Sequence, residues 1–115
     1  MGKMQKRKLK DYNPNHCPVV YSLSKIGDRW KLLIIHYIKK GENRYSKLQK
    51  VIPDISRQTL TNKLRELEDD GIISRIIYPQ VPPKVEYSIT ELGLSLNPII
   101  SEMSKWGLKF VQPKQ

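Results

Sequence analysis

The sequence predicts a mainly helical α+β fold: one small domain of several helices and a single β-hairpin. Three observations carry this. Apolar residues recur at three- and four-residue spacing in stretches bounded by capping and breaking residues. Residues 72–89 hold two strand-like runs around a proline-rich loop. The chain has 115 residues, 38% of them hydrophobic, which suits one modest core.

The elements follow in order. Residues 1–15 are lysine-rich, end in Asn13-Pro14-Asn15, and are expected to form a disordered basic arm. The domain is placed at 16–111, followed by a tail at 112–115. Pro18 suits the first position of a helix over residues 18–26, with Cys17 at its cap and Gly27-Asp28 as the break. Asp28 caps a second helix, 29–40, which Gly41 stops and whose inward stripe is Trp30, Leu33, Ile34, Tyr37 and Ile38. Residues 43–45 read as extended. Ser46 then caps a short helix, 47–51, with Leu48, Val51 and Ile52 inward. Pro53-Asp54 make a turn, and Ser56 caps a fourth helix that ends at Gly71. Its stripe is Leu60, Leu64 and Leu67. Its other face carries Arg57, Gln58, Thr61, Asn62 and Arg65.

Residues 72–78 form a β-branched strand, and 84–89 alternate with Val85, Tyr87 and Ile89 on one face. Pro79, Pro82 and Pro83 between them exclude a two-residue turn and predict a longer, stiff loop. Thr90 caps a final helix with an apolar face of Leu92, Leu96, Ile99, Ile100, Met103, Trp106 and Phe110. Pro98 should kink or split it. The third and fourth helices have helix-turn-helix proportions, and the hairpin after them is the outline of a wing.

Charge narrows the partner. The net charge is +10, and residues 1–65 carry sixteen Lys/Arg against four Asp/Glu, whereas 66–115 carry five against seven. A basic half beside a nearly neutral one suits a polyanion. No helix is basic on one face and bulky-apolar on the other, so a membrane surface is disfavoured. No apolar run is long enough to span a bilayer, and residues 1–15 lack the apolar core of a secretory signal. The expected location is the cytoplasm. The single cysteine and two distant histidines offer no zinc spacing, so no metal or other cofactor is expected. No nucleophile–base pair, paired catalytic carboxylates or glycine-rich phosphate loop is present, so an enzyme is not expected.

The N-terminal end of the second helix of a helix-turn-helix enters the major groove of DNA. Arg57 matches guanine O6 and N7; Gln58 or Asn62 matches adenine N6 and N7; Thr59 or Thr61 suits a thymine methyl or a phosphate. Lys47, Lys63 and Arg65 lie further from the cap and suit phosphates, although acidic neighbours within helical reach compete for Lys63 and Arg65. Gln80 and Lys84 are the wing's polar candidates. Residues 56–70 thus form a recognition helix, and 79–84 a wing contact to the backbone or minor groove. The competing reading is a winged-helix module for protein–protein contact, which would more often present apolar anchors on that face.

Seven segments, in order, resemble the HxlR-type bacterial transcriptional regulators, a winged helix-turn-helix family: Cys17-Pro18-Val19, Ile26-Gly27-Asp28-Arg29-Trp30-Lys31-Leu32-Leu33-Ile34, Arg44-Tyr45-Ser46-Lys47-Leu48, Ile55-Ser56-Arg57-Gln58-Thr59-Leu60-Thr61, Leu64-Arg65-Glu66-Leu67-Glu68 with Asp70-Gly71, Tyr78 to Tyr87, and Thr90-Glu91-Leu92-Gly93. The resemblance implies a homodimeric DNA-binding regulator of a bacterial or archaeal cytoplasm, paired through its first and last helices and acting on a pseudo-palindromic operator. The residues agree on pairing, because the apolar stripe of the last helix outruns one small core. Val20, Leu23, Ile99, Ile100, Met103, Trp106 and Phe110 are the candidate dimer surface. The alternative is that this stripe packs back on Trp30 and Tyr37. Some members of the family sense oxidants through an N-terminal cysteine, and Cys17 has the setting of a reactive thiol, beside His16 at a helix start in the basic half. It is a candidate redox sensor; the competing role is a small packed residue. No small-molecule effector is identifiable.

Overall fold

The structure, a computed structural model, describes residues 17–111. The expected arm at 1–15, His16 and the tail at 112–115 lie outside the described residues. The elements are α1 (Pro18–Ile26), α2 (Lys31–Lys39), α3 (Tyr45–Val51), α4 (Arg57–Asp69), β1 (Ile73–Tyr78), β2 (Lys84–Ile89), α5 (Glu91–Leu94) and α6 (Asn97–Leu108).

Punctuation in the sequence sets most of these bounds. Pro18 occupies the first turn of α1, which Gly27 ends. The Ser56 side chain caps α4 by accepting from the Thr59 amide at 3.0 Å. Past the other end of α4, Gly71 takes φ +76°, a backbone conformation that suits glycine. Pro98 lies in the first turn of α6 and splits the final helix into α5 and α6, as its missing amide requires.

Two helix starts differ from expectation. The second helix begins at Lys31, not residue 29. Trp30, not Asp28, holds the cap position; residues 28–30 form a bend ahead of the helix, closed by Asp28 Oδ1, which accepts from the amides of Trp30 and Lys31 at 2.8 Å each. The third helix begins at Tyr45, so residues 43–45 are not a strand and Ser46 is not a cap. The backbone there is fixed from outside: the Asn43 carbonyl accepts from the Tyr87 amide of β2 at 2.8 Å.

The core gathers Ile34, Ile35 and Ile38 of α2, Leu48 of α3, and Leu60, Leu64 and Leu67 of α4. Ile52, Ile55, Ile72 and Ile73 complete it. Ile35 was not expected inward. It is fully buried because α2 packs against β2 as well as α3 and α4, which widens its buried side. Trp30, Leu33 and Tyr37 are half-buried at the margin.

β1 and β2 pair antiparallel from Ile73 with Ile89 out to Tyr78 with Lys84, and residues 79–83 form the tip. The root is fastened by Thr90, whose hydroxyl reaches the carbonyl oxygens of Gly71 and Ile72 at 2.6 and 2.9 Å. The Thr90 hydroxyl also caps α5, accepting from the Gly93 amide at 3.0 Å. This is a helix-turn-helix, α3 and α4, with a hairpin wing, and α1 and α6 lie beside one another next to it.

Candidate nucleic-acid interface

α4 is the element around which the site is built, and its four sides face different surroundings. Leu60, Leu64 and Leu67 face the core. On one flank, Lys63, Glu66 and Asp70 meet α1 and the start of α2. Lys63 lies 3.0 Å from Asp28 and 3.6 Å from Glu66, Glu66 lies 2.8 Å from Lys31, and Asp70 lies 3.8 Å from Lys25. On the other flank, Thr61 is half-buried with its hydroxyl 3.0 Å from that of Tyr45. The outward side carries Arg57, Gln58, Asn62 and Arg65, all exposed.

These surroundings sort the candidate residues. Arg57, Gln58, Asn62 and Arg65 form one continuous solvent-facing surface beginning at the helix N-terminus, where unpaired amides and the helix dipole favour an anion. Thr59 is half-buried, and its hydroxyl accepts from Ser56 Oγ at 2.9 Å, which engages it in the cap. Thr61 turns toward α3. Lys63 is held by carboxylates rather than left for a phosphate. Lys47 is exposed on α3, beside Ser46. In the wing, Gln80 is exposed, whereas Lys84 is half-buried, 3.6 Å from Glu86 and 4.8 Å from the Tyr78 ring centre. The tip residue Val81 is 98% exposed.

The flank facing α1 and α2 is electrostatically matched. The hydrogen bond from Lys31, reinforced by Lys63, holds the Glu66 carboxyl below its ordinary pKa. Burial opposes ionisation of Asp28, but the amides of Lys31 and Trp30 and the Lys63 ammonium outweigh it and leave that carboxyl lowered too. The hydrogen bond to Asp28 in turn raises Lys63. The sequence singles out Asp28 at the start of this helix but not its pairing with Lys63, which joins residues thirty-five apart. Tyr45 was missed for the same reason: its partners Arg57 and Thr61 lie on another helix.

The candidate dimer surface is open in the single chain. Val20, Leu23, Ile99, Met103 and Phe110 are exposed, Trp106 is 66% exposed, and Ile100 is half-buried against the core. Apart from Ile100 these side chains stay open, so that part of the stripe does not pack back on Trp30 and Tyr37, and the Trp106 and Phe110 rings lie 5.0 Å apart, tilted by 50°. An apolar groove of about 410 Å³ runs between α1 and α6, lined in part by Val19, Leu23, Leu32, Ile99 and Met103. Cys17 is exposed at the cap of α1 and makes no side-chain capping hydrogen bond. Among the described residues, no three His, Cys, Asp or Glu side chains come together in a way that could hold a metal ion. No helix among them is long and apolar enough to cross a membrane.

A capped helix with a polar outward side, a preceding short helix and a hairpin wing define the winged helix-turn-helix class of transcriptional regulators. Within that class the chain belongs to the HxlR family: the model of the HxlR-like helix-turn-helix matches residues 25–115. It is 45% identical over 95 residues to the HTH-type transcriptional regulator YybR of Bacillus subtilis (strain 168), covering 83% of this chain and 76% of that protein. Among solved structures it resembles the redox regulator HypR in its oxidized form, with TM-score 0.79 and 43% identity over 84% of this chain and all of that one. It also resembles the reduced form of the transcriptional regulator YodB from B. subtilis, with TM-score 0.69 and 38% identity over 87% of this chain and 99% of that one.

Proposed function

We propose that this transcriptional regulator binds DNA sequence-specifically as a homodimer. α4 enters the major groove and residues 79–84 touch the backbone or minor groove. The observation that carries the reading is the outward side of α4, where Arg57, Gln58, Asn62 and Arg65 stand together, free of the core, at the end of the basic half. These side chains suit base edges and phosphates, and the side lacks the apolar anchors of a protein-docking helix. Pairing through α1 and α6 is supported by the open apolar groove and the exposed Trp106–Phe110 ring pair. It would place two reading helices on half-sites about one DNA turn, or a multiple, apart. Selection of bound sequences from a random duplex pool, followed by anisotropy titrations on the selected and a scrambled duplex, tests it. The selected duplex should bind far more tightly and contain two related half-sites. Equal binding to both would return the protein–protein module.

A thiol response is a second reading, favoured by Cys17 standing exposed at the start of α1 and by likeness to a protein described as a redox regulator. In it, oxidation of Cys17, by pairing between subunits or with a small thiol, changes DNA affinity. Treatment with diamide should alter wild-type affinity and leave Cys17→Ser unmoved. Identical responses of the two proteins refute it.

A further inference from the structure

The first turn of α4 is held by a tyrosine from the helix before it. Tyr45 opens α3, and its hydroxyl donates to the Arg57 carbonyl oxygen at 2.9 Å. The same hydroxyl lies 3.0 Å from that of Thr61. With the phenol proton given to Arg57, the Thr61 hydroxyl is the donor of the second bond. A carbonyl oxygen has two lone pairs, and the helix ladder uses one for the amide four residues on. Tyr45 takes the other. A threonine inside a helix can turn its hydroxyl back to the carbonyl four residues earlier, which here is Arg57 itself. Thr61 instead bonds to the phenol that is bonded to Arg57, so three groups share one knot. Two residues before Tyr45, the Asn43 carbonyl is tied to the Tyr87 amide of the wing. Residues 43–45 therefore run as a strut from β2 to the first turn of α4.

We infer that Tyr45 is a positioning residue for DNA reading. Its hydroxyl fixes the first turn of α4 relative to the wing, and through it the direction from which Arg57 reaches a base. Thr61 belongs to this knot rather than to the reading surface. The inference rests on the proposed DNA binding. Its physical basis is that bidentate base contacts tolerate only small misplacements, so the groups that orient a reading side chain matter as much as the side chain. A phenylalanine at 45 would fill the same space and lack only the hydroxyl.

The experiment uses the full chain as wild type, Tyr45→Phe, Thr61→Val and the double variant. Each is titrated with the pool-selected and the scrambled duplex at several salt concentrations, and thermal midpoints are recorded alongside. The expected result for Tyr45→Phe is about tenfold weaker binding to the selected duplex, the scale of one net hydrogen bond, with scrambled binding and the salt slope unchanged. Thr61→Val should behave alike, and the double variant should be no weaker than either single. Tyr45→Phe that discriminates as well as wild type overturns the inference. So does a loss shared equally by both duplexes, which a purely structural role would give. Additive losses in the double variant overturn the shared knot. A wild type that fails to discriminate between the duplexes overturns the DNA reading itself, and this inference with it.

Discussion

At the scale of the residue, what a polar side chain can do on α4 is decided by which flank it occupies. Arg57 and Lys63 are both cations on one helix, yet only Arg57 faces outward; Lys63 is held between Asp28 and Glu66. Arg57→Ala is therefore expected to cost about 1–3 kcal/mol of specific binding and to relax preference at one base pair. Lys47→Ala should weaken all sequences alike and lower the salt slope by about one. Anisotropy titrations across salt concentrations separate the two behaviours. A glycine makes the opposite kind of point. Gly93 is buried against the hairpin root, where a Cβ would collide with the Ile72 carbonyl oxygen and stand 2.7 Å from Ile89 Cγ2. Because one of those atoms is backbone, Gly93→Ala should destabilise the fold by about 1–3 kcal/mol, read as a lower denaturant midpoint with an unchanged slope.

At the scale of the element, α4 is held to its neighbours by ion pairs as well as by its leucines. Asp28 and Glu66 both have lowered pKa values in the fold, so the stability they supply is present above the ordinary carboxylate range and is lost as pH falls through their folded values. Thermal midpoints should drop steeply below about pH 4.5. Glu66→Gln should flatten that drop and, at neutral pH, cost about 1 kcal/mol, a solvent-screened figure because the Glu66 side chain is 39% exposed. A pH series of melting curves on both proteins checks this; parallel curves would remove Glu66 from the account. The same flank marks what was legible in the sequence. α1, α4, β2 and the split final helix could be read because Pro18, Ser56, Gly71, Thr90 and Pro98 act on their own neighbours. The starts of α2 and α3 could not. Asp28 accepts across a bend that delays the helix start, and Tyr45 begins a helix beside a strand edge that only folding brings to Asn43. Of the interface, the outward residues were legible from periodicity, since the core stripe fixes the opposite side. The inward turn of Thr61 and the pairing of Lys63 depend on other helices and were not.

At the scale of the molecule, the stripe of α6 and the facing side of α1 are a large apolar area for one small chain to leave open. Under the homodimer reading, Trp106→Asp should leave the fold intact, because the side chain is 66% exposed and α6 contains no buried residue. It should shift the protein to monomer in light scattering and remove the advantage of two half-sites over one. A dimer that survives the change would place the interface elsewhere.

The Thr90 fastening at the hairpin root has a consequence for how such chains diversify. With the carbonyls of Gly71 and Ile72 joined to Thr90, the two ends of the wing are held together whatever lies between them. The outer stretch is exposed at Ile76, Ile77 and Val81 and adds nothing to the buried core. Mutation can lengthen, shorten or restiffen that stretch without disturbing the helices. The wing is thus an exchangeable part, and descent can alter its tip while the scaffold stays unchanged.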